Sequence, residues 1–193
     1  MAAILAIVPA HNEGPRISAV VYALVAQGLP VLVVDDGSTD ETAAEARSAG
    51  ARVLSLSPNR GKGGALKAGF REALHPEVPE GGPGWDGLLT LDGDGQHDPA
   101  EAPGLIRTWT ETGADLVVGA RDYRSMPPIR WFTNSVSRAL FSRALGQKIP
   151  DNQSGYRLRS RRLAEASLSS QEEGFAFEVE EIAICVGRGY KLA

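Results

Sequence analysis

Short, unbroken apolar runs recur along this chain, each followed by a stretch with helical periodicity. Runs of branched aliphatic residues this short suit strands buried on both faces better than helices. ILAIV (4–8) precedes a helical pattern from about Arg16 to Gln27. VLVVD (31–35) precedes a helix opening at Ser38, where Ser38 and Glu41 have the spacing of a capping box. RVLSLS (52–57) precedes a glycine-rich loop and a helix ending near Leu74. GLLTLD (87–92) precedes a helix entered at Asp98-Pro99, a cap followed by a first-turn proline. DLVVGA (115–120) supplies a fifth strand. Strands alternating with helices predict an α/β fold, a three-layer α/β/α sandwich around a mostly parallel sheet. Ligands of such sheets bind beyond the carboxyl ends of the strands. The loops to search are therefore 9–14, 35–40, 58–64, 92–98 and 120–130.

Beyond Arg121 the alternation changes. A basic amphipathic helix is predicted from about Ile129 to Leu145, and DNQSGYR (151–157) reads as a turn. A last helix runs from roughly Phe175 to Gly187 and is closed by Gly189, with YKLA opening a further strand. HPEVPEGGPGW (75–85) is a Pro/Gly-rich surface loop without evident chemistry.

Length and composition narrow the classes. The 193 residues suffice for one domain with a sizeable core. The net charge of −4 argues against a broad nucleic-acid footprint, so no nucleic-acid partner is expected. Basic residues nevertheless concentrate between Arg121 and Arg162, which suits a local anionic ligand. The single cysteine, Cys185, excludes a disulfide framework and reads as a buried structural thiol. The N-terminus lacks a basic n-region and reads as a first strand, and no run approaches a membrane span. The expectation is a soluble or peripheral intracellular protein.

The strand ends carry the candidate chemistry. VPAHNE (8–13) presents Pro9, His11 and Glu13, and VVDDGSTD (33–40) presents Asp35 and Asp36, which can accept from ribose hydroxyls or base N–H groups. For Asp36 the alternative is a plain turn with Gly37. NRGKGGALKAG (59–69) fails the phosphate-loop pattern and leaves a weak anion site built from glycines, Lys62 and a helix N-terminus. In LDGDGQHDP, Asp92 and Asp94 stand two apart, so in extended chain they face the same way. Neighbours on one strand end flank a bond poorly as an acid/base pair, and the calcium-loop pattern fails at Gln96. A divalent ion held by two carboxylates and a diphosphate fits instead, with Gln96 and His97 completing or supporting the shell. Arg121 at a strand end, and Arg130 and Asn134 on one helix face, suit phosphate oxygens; the basic helix with its aromatics suits a membrane surface or is an ordinary surface helix.

VPAHNE, VVDDGSTDET, NRGKGGALKAG, LDGDGQHDP, VVGARDY and DNQSGYR fall in the order seen in family-2 glycosyltransferases of the GT-A fold. The chain resembles the polyprenyl-phosphate (dolichyl-phosphate) mannosyl- and glucosyltransferases among them. The resemblance implies an enzyme, a metal-dependent inverting hexosyltransferase. It implies a GDP- or UDP-hexose donor, Mg2+ or Mn2+, and a polyprenyl phosphate acceptor reached from the cytoplasmic membrane face. Carried over by residue, Pro9, His11, Glu13, Asp35, Lys62 and Asp92 hold the donor nucleotide. Asp92, Asp94 and Gln96 bind the metal and diphosphate. Arg121, Arg130, Asn134, Gln153, Ser154 and Arg157 face the acceptor phosphate, and Asp94, Arg121 and Arg130 stand closest to the chemistry. His11 replaces the tyrosine of many relatives. The resemblance also implies one GT-A catalytic domain over 1–193, without the C-terminal extensions of relatives. The rival expectations are a small soluble acceptor with the same donor, or a non-catalytic nucleotide-sugar-binding module.

Overall fold

The computed structural model describes residues 2–75, 84–119, 143 and 154–193. Among these, the strands are β1 (Ile4–Ala10), β2 (Val31–Asp35), β3 (Arg52–Ser55), β4 (Gly87–Thr90), β5 (Leu116–Val118) and β6 (Arg157–Ser160). The helices are α1 (Gly14–Val25), α2 (Thr42–Ser48), α3 (Gly61–Leu74), α4 (Ala102–Thr112), α5 (Arg161–Ser167) and α6 (Ala176–Gly187). One sheet runs in the order β3-β2-β1-β4-β6-β5. Its first four strands are parallel, and β6 is inserted antiparallel to both β4 and β5.

Side chains alternate across a strand, and β1 uses both faces. Ile4, Ala6, Val8 and Ala10 pack with Ile17, Val20, Val21 and Leu24 of α1, Ala46 of α2 and Leu105 of α4. Leu5 and Ile7 face Ala65, Leu66 and Phe70 of α3, Ala164 of α5 and Phe177 of α6. The sheet is thus covered on both sides, which produces the expected three layers. Each fully buried Leu, Ile or Phe contributes roughly 1.5–3 kcal/mol. Cys185 lies in a smaller cluster with Leu116, Val118, Leu163 and Ile182, and burial pushes its thiol up to about 12, as befits an inert structural residue.

Several expectations are corrected. Ser38 does not cap its own helix, which begins only at Thr42. The Ser38 hydroxyl accepts from the Asn12 amide (2.9 Å), the Thr42 hydroxyl from Glu13 N (2.8 Å), and the Asp40 carboxylate from Gly14 N (3.1 Å). The second loop therefore satisfies the free amides at the start of α1. The glycines at 61–64 belong to α3 itself. Their small size is a packing requirement: a Cβ on Gly63 would lie 2.8 Å from Phe177 Cβ, and one on Gly61 2.6 Å from the Glu173 carbonyl. That carbonyl accepts from Gly64 N at 3.0 Å, so much of the suspected anion site is filled by the chain's own backbone. Asp98 does cap its turn, accepting from Ala100 N, and Gly189 (φ 68°) does close α6. YKLA forms a parallel bridge, Leu192 to Leu116.

The turn expected at DNQSGYR ends in a strand instead. Arg157 and Arg159 of β6 point to one face and are fully buried against Glu181 of α6, itself fully buried. Arg159 Nε donates to Glu181 Oε1 at 2.7 Å, its Nη2 to Glu181 Oε2 at 3.2 Å and to Thr90 Oγ1 at 3.1 Å, while Arg157 Nη1 is 3.3 Å from Glu181 Oε2. The Phe70 ring lies 4.7 Å beneath the Arg159 guanidinium. Arg159 Nη1 has no hydrogen-bond partner among the described residues. Two buried cations on one carboxylate tolerate no loss of that carboxylate. Glu181→Ala should cost about 3–5 kcal/mol, read as a lowered urea midpoint; a midpoint close to wild type would contradict this account.

Candidate active site

The carboxyl ends of β1, β2 and β4 border a cleft of about 360 Å³, lined by Pro9, His11, Glu13, Asp36, Asn59, Lys62, Asp92, Gly93, Asp94 and Phe175 among others. It lies where parallel-sheet geometry puts ligand sites. On the β1 side, Asn12 takes a left-handed conformation (φ 56°) and turns the chain sharply into α1. The Asp36 carbonyl accepts from Asn59 Nδ2 at 2.9 Å and lies 3.0 Å from His11 Nδ1, while Asn12 Nδ2 is 3.2 Å from His11 Nε2. A proton on Nδ1 lets the ring donate to the Asp36 carbonyl and leaves Nε2 to accept from Asn12; a bare Nδ1 would instead accept from Asn59 Nδ2, 3.2 Å away. The Asp36 carboxylate accepts from the Arg60 amide at 2.7 Å and lines the cleft. Asp35, favoured over it on sequence, is buried and accepts from Ser38 N at 3.0 Å. Glu13 lines the cleft and pairs with Arg16 at 2.7 Å.

On the β4 side the charges are closely coupled. Lys62, in the first turn of α3, places Nζ 2.6 Å from Asp92 Oδ1 and 3.1 Å from Glu178 Oε1. The Phe175 ring, 78% exposed, stands 5.6 Å from the same ammonium. His97 Nε2 is 3.6 Å from Asp92 Oδ2, and its ring packs on Tyr156. Burial alone would push the Asp92 carboxyl up; the adjoining His97 and the Lys62 ammonium outweigh it and hold the carboxyl at about 2. Asp94 lines the cleft beside Asp92, one of its oxygens accepting from Gln96 N at 2.9 Å. The Gln96 side chain is exposed, and its backbone rather than its amide group reaches Asp94.

Beneath this pair passes the backbone of Gly155, whose carbonyl accepts from Thr90 Oγ1 at 3.0 Å. A Cβ there would stand 2.7 Å from Asp92 Oδ2 and 2.8 Å from Lys62 Nζ, so a larger residue would displace the ends of these two charged side chains. Ser154 is buried next to it, its carbonyl accepting from Arg157 Nε at 2.7 Å. Arg157 therefore points into the protein rather than toward an acceptor in the cleft, because β6 pairing turns it onto Glu181 and the Glu178 carbonyl. Arg121, Arg130, Asn134 and Gln153 lie outside the described residues, as does most of the expected basic helix; Arg143 within it is helical and exposed. Sequence reading passed over Glu178, Phe175, Asn59 and Gly155. Only the GFAFEVEE stretch, acidic at the start of an otherwise apolar helix, carried any signal for the first two.

Two carboxylates at one strand end, one of them firmly ionised, suit a hard divalent cation. Among the described residues no cluster of three or more His, Cys, Asp or Glu surrounds a common point. Such an ion would complete its shell with water and the oxygens of a phosphate ligand. The residues fit a cation of this kind.

The sequence profile described as Glycosyl transferase family 2 matches residues 5–168. The chain belongs to that family. It is 33% identical over 195 residues to the glycosyltransferase AglJ of Haloferax volcanii, covering 98% of this chain and 60% of that one. It is 33% identical over 192 residues to an undecaprenyl-phosphate mannosyltransferase of Micrococcus luteus, covering 92% and 75%. The crystal structure of glucosyl-3-phosphoglycerate synthase from Mycobacterium tuberculosis with Mn2+, UDP and glucosyl-3-phosphoglycerate superposes with a TM-score of 0.73 at 23% identity. That superposition covers 97% of this chain and 66% of the synthase, and it establishes the GT-A fold of this family member. The chain thus spans less than two thirds of AglJ and of the synthase. Among the described residues no helix is long and apolar enough to cross a membrane.

The Lys62–Asp92 pair has a pH signature. Its folded carboxyl value lies below the ordinary one of about 3.9. Its contribution to stability is therefore complete above that ordinary value and is lost as pH falls through about 2. Lys62→Met should move the Asp92 carboxyl upward from about 2, visible as a shifted midpoint in a carbon-13 side-chain titration; an unmoved midpoint would refute the pairing.

Proposed function

We propose that the chain is a metal-dependent, inverting hexosyltransferase that moves mannose or glucose from a nucleoside-diphosphate sugar to a polyprenyl phosphate. The observation that carries this reading is the ionised Asp92, flanked by Lys62 and Asp94, at the end of β4 and across a cleft from His11, Glu13 and Asp36. The 33% identity to an undecaprenyl-phosphate mannosyltransferase, spread over 92% of this chain, supports the lipid phosphate as acceptor.

In this reading Pro9, His11, Glu13 and Asp36 hold the base and ribose, and Asp35 supports them from behind by fixing the Ser38 amide. Asp92 and Asp94, with Gln96 at the rim, hold Mg2+ or Mn2+ and the diphosphate, and Lys62 adds a positive charge beside them. When bound, the cation would counter the charge that develops on the departing diphosphate. Arg121, Arg130, Asn134 and Gln153 would receive the acceptor phosphate next to Ser154. Arg157 serves from behind by fixing the Ser154 carbonyl. The acceptor oxygen is already anionic near neutral pH, so it needs no strong base. It bonds to the anomeric carbon as the bond to the diphosphate oxygen breaks, and the electron pair leaves with the nucleotide. The protein's part is positioning and charge stabilisation. A lipid acceptor implies work at the cytoplasmic face of a membrane, with the protein bound peripherally.

Nucleotide release from GDP- and UDP-hexoses, with vesicles containing polyprenyl phosphate or with soluble 3-phosphoglycerate, tests donor and acceptor together. Transfer to the vesicles is expected. Transfer only to the soluble acid would replace the acceptor, and nucleotide binding without transfer to either would leave a binding module. Asp92→Ala and Asp94→Ala should each lower turnover by about 100-fold or more, and near-normal turnover in both would sink the proposal.

A further inference from the structure

Lys62 is bound by two carboxylates of different character. Asp92 sits at the end of β4 on the cleft side, its side chain 27% exposed; Glu178 sits in the first turn of α6 and is 6% exposed. The Glu178 backbone carbonyl accepts from Arg157, which ties this residue to the buried Arg157–Glu181–Arg159 cluster. Glu178 is therefore a fixed anion at the back of the site, and Asp92 the anion that faces a ligand. Lys62 spans the gap on a flexible four-carbon stem.

A divalent cation on Asp92 must share that carboxylate with an ammonium 2.6 Å away, and like charges so close repel. Lys62 must then shift toward another anion. Glu178, already 3.1 Å from Nζ, provides one.

We propose that Glu178 is a positioning residue that receives Lys62 when a divalent cation takes Asp92, so that Lys62 is a built-in competitor of the cation and Glu178 sets how strongly it competes. This rests on the reading of Asp92 and Asp94 as the cation site. Glu178 touches neither donor nor acceptor in this role; it acts through Lys62.

The test is Mn2+ affinity without nucleotide, followed by electron paramagnetic resonance of the free ion in the full chain. Lys62→Met removes the competitor and should tighten Mn2+ by about tenfold. Glu178→Gln leaves Lys62 pinned to Asp92 and should weaken Mn2+ by about tenfold. In the Lys62→Met background the Glu178→Gln change should fall to within about twofold, because its effect passes through the lysine. An undiminished weakening in that background would mean that Glu178 acts on the cation directly and would overturn the inference. So would a Lys62→Met protein that binds Mn2+ no more tightly than wild type, which decides the matter alone if Glu178→Gln fails to fold. Mn2+ that binds neither alone nor with GDP or UDP would overturn the cation site as well; Mn2+ that binds normally while the two substitutions act independently would overturn only the role of Glu178.

Discussion

The ion pair between Arg159 and Glu181 is the constraint on which the second half of this protein turns. It is fully buried, and desolvating such groups costs several kcal/mol per ion unless geometry and further hydrogen bonds offset it. The bidentate contact, the Thr90 hydroxyl, the Ser167 hydroxyl and the Phe70 ring supply that offset. Each partner belongs to a different element, so the pair can form only when β6 lies antiparallel between β4 and β5 with α6 packed above it. A hydrophobic replacement of like volume would pack as well, but it would not fix register. Slipping β6 by one residue would carry both arginines to the opposite face, into the apolar cluster that holds Leu158 and Tyr156.

The same pair explains why that half was hard to read in the sequence. The parallel strands announced themselves because both of their faces are largely apolar: ILAIV carries no polar residue, and VLVVD and GLLTL carry one each, Asp35 and Thr90. RLRS has the period of a strand, yet its buried face is two arginines, and charged residues at alternate positions ordinarily mark solvent. Only the partner carboxylate, some twenty residues on in α6, makes that face an interior one. The glycines of 61–64 misled in the opposite direction. Their pattern suggested a loop around a ligand, whereas close contact with Glu173, Gly174 and Phe177 requires Gly61 and Gly63, and contact with Arg60 requires Gly64. Local sequence carries the demand for a small residue but not the identity of what approaches it.

The candidate site was legible where chemistry and strand ends coincide. Asp92, Asp94, His11, Glu13 and Lys62 are brought together around one cleft, as their places at the ends of β1 and β4 and the start of α3 required. Asp35 and Asp36 show the limit of such reasoning. Adjacent residues at a strand end point to opposite sides, and sequence does not say which side the cleft is on. Both are buried, and it is Asp36 that lines the cleft while Asp35 accepts from Ser38 N. Glu178 and Gly155 were harder for another reason: they approach from α6 and from just before β6, distant in sequence, and although Gly155 lies within DNQSGYR nothing local shows what it packs against.

Those two residues join the buried cluster to the cleft. Arg157 is held by Glu181, and in turn fixes the carbonyls of Ser154 and Glu178. Ser154 leads into Gly155, whose backbone lies under the Asp92–Lys62 pair, and Glu178 supplies the second anion to the same lysine. The floor and the back wall of the site thus hang from one arginine in the core. In the proposed transfer, which needs no strong base, positioning of this kind would matter most. An arginine that turns away from the substrate can then do as much for the chemistry as one that faces it, because it fixes the backbone against which the reacting charges are held.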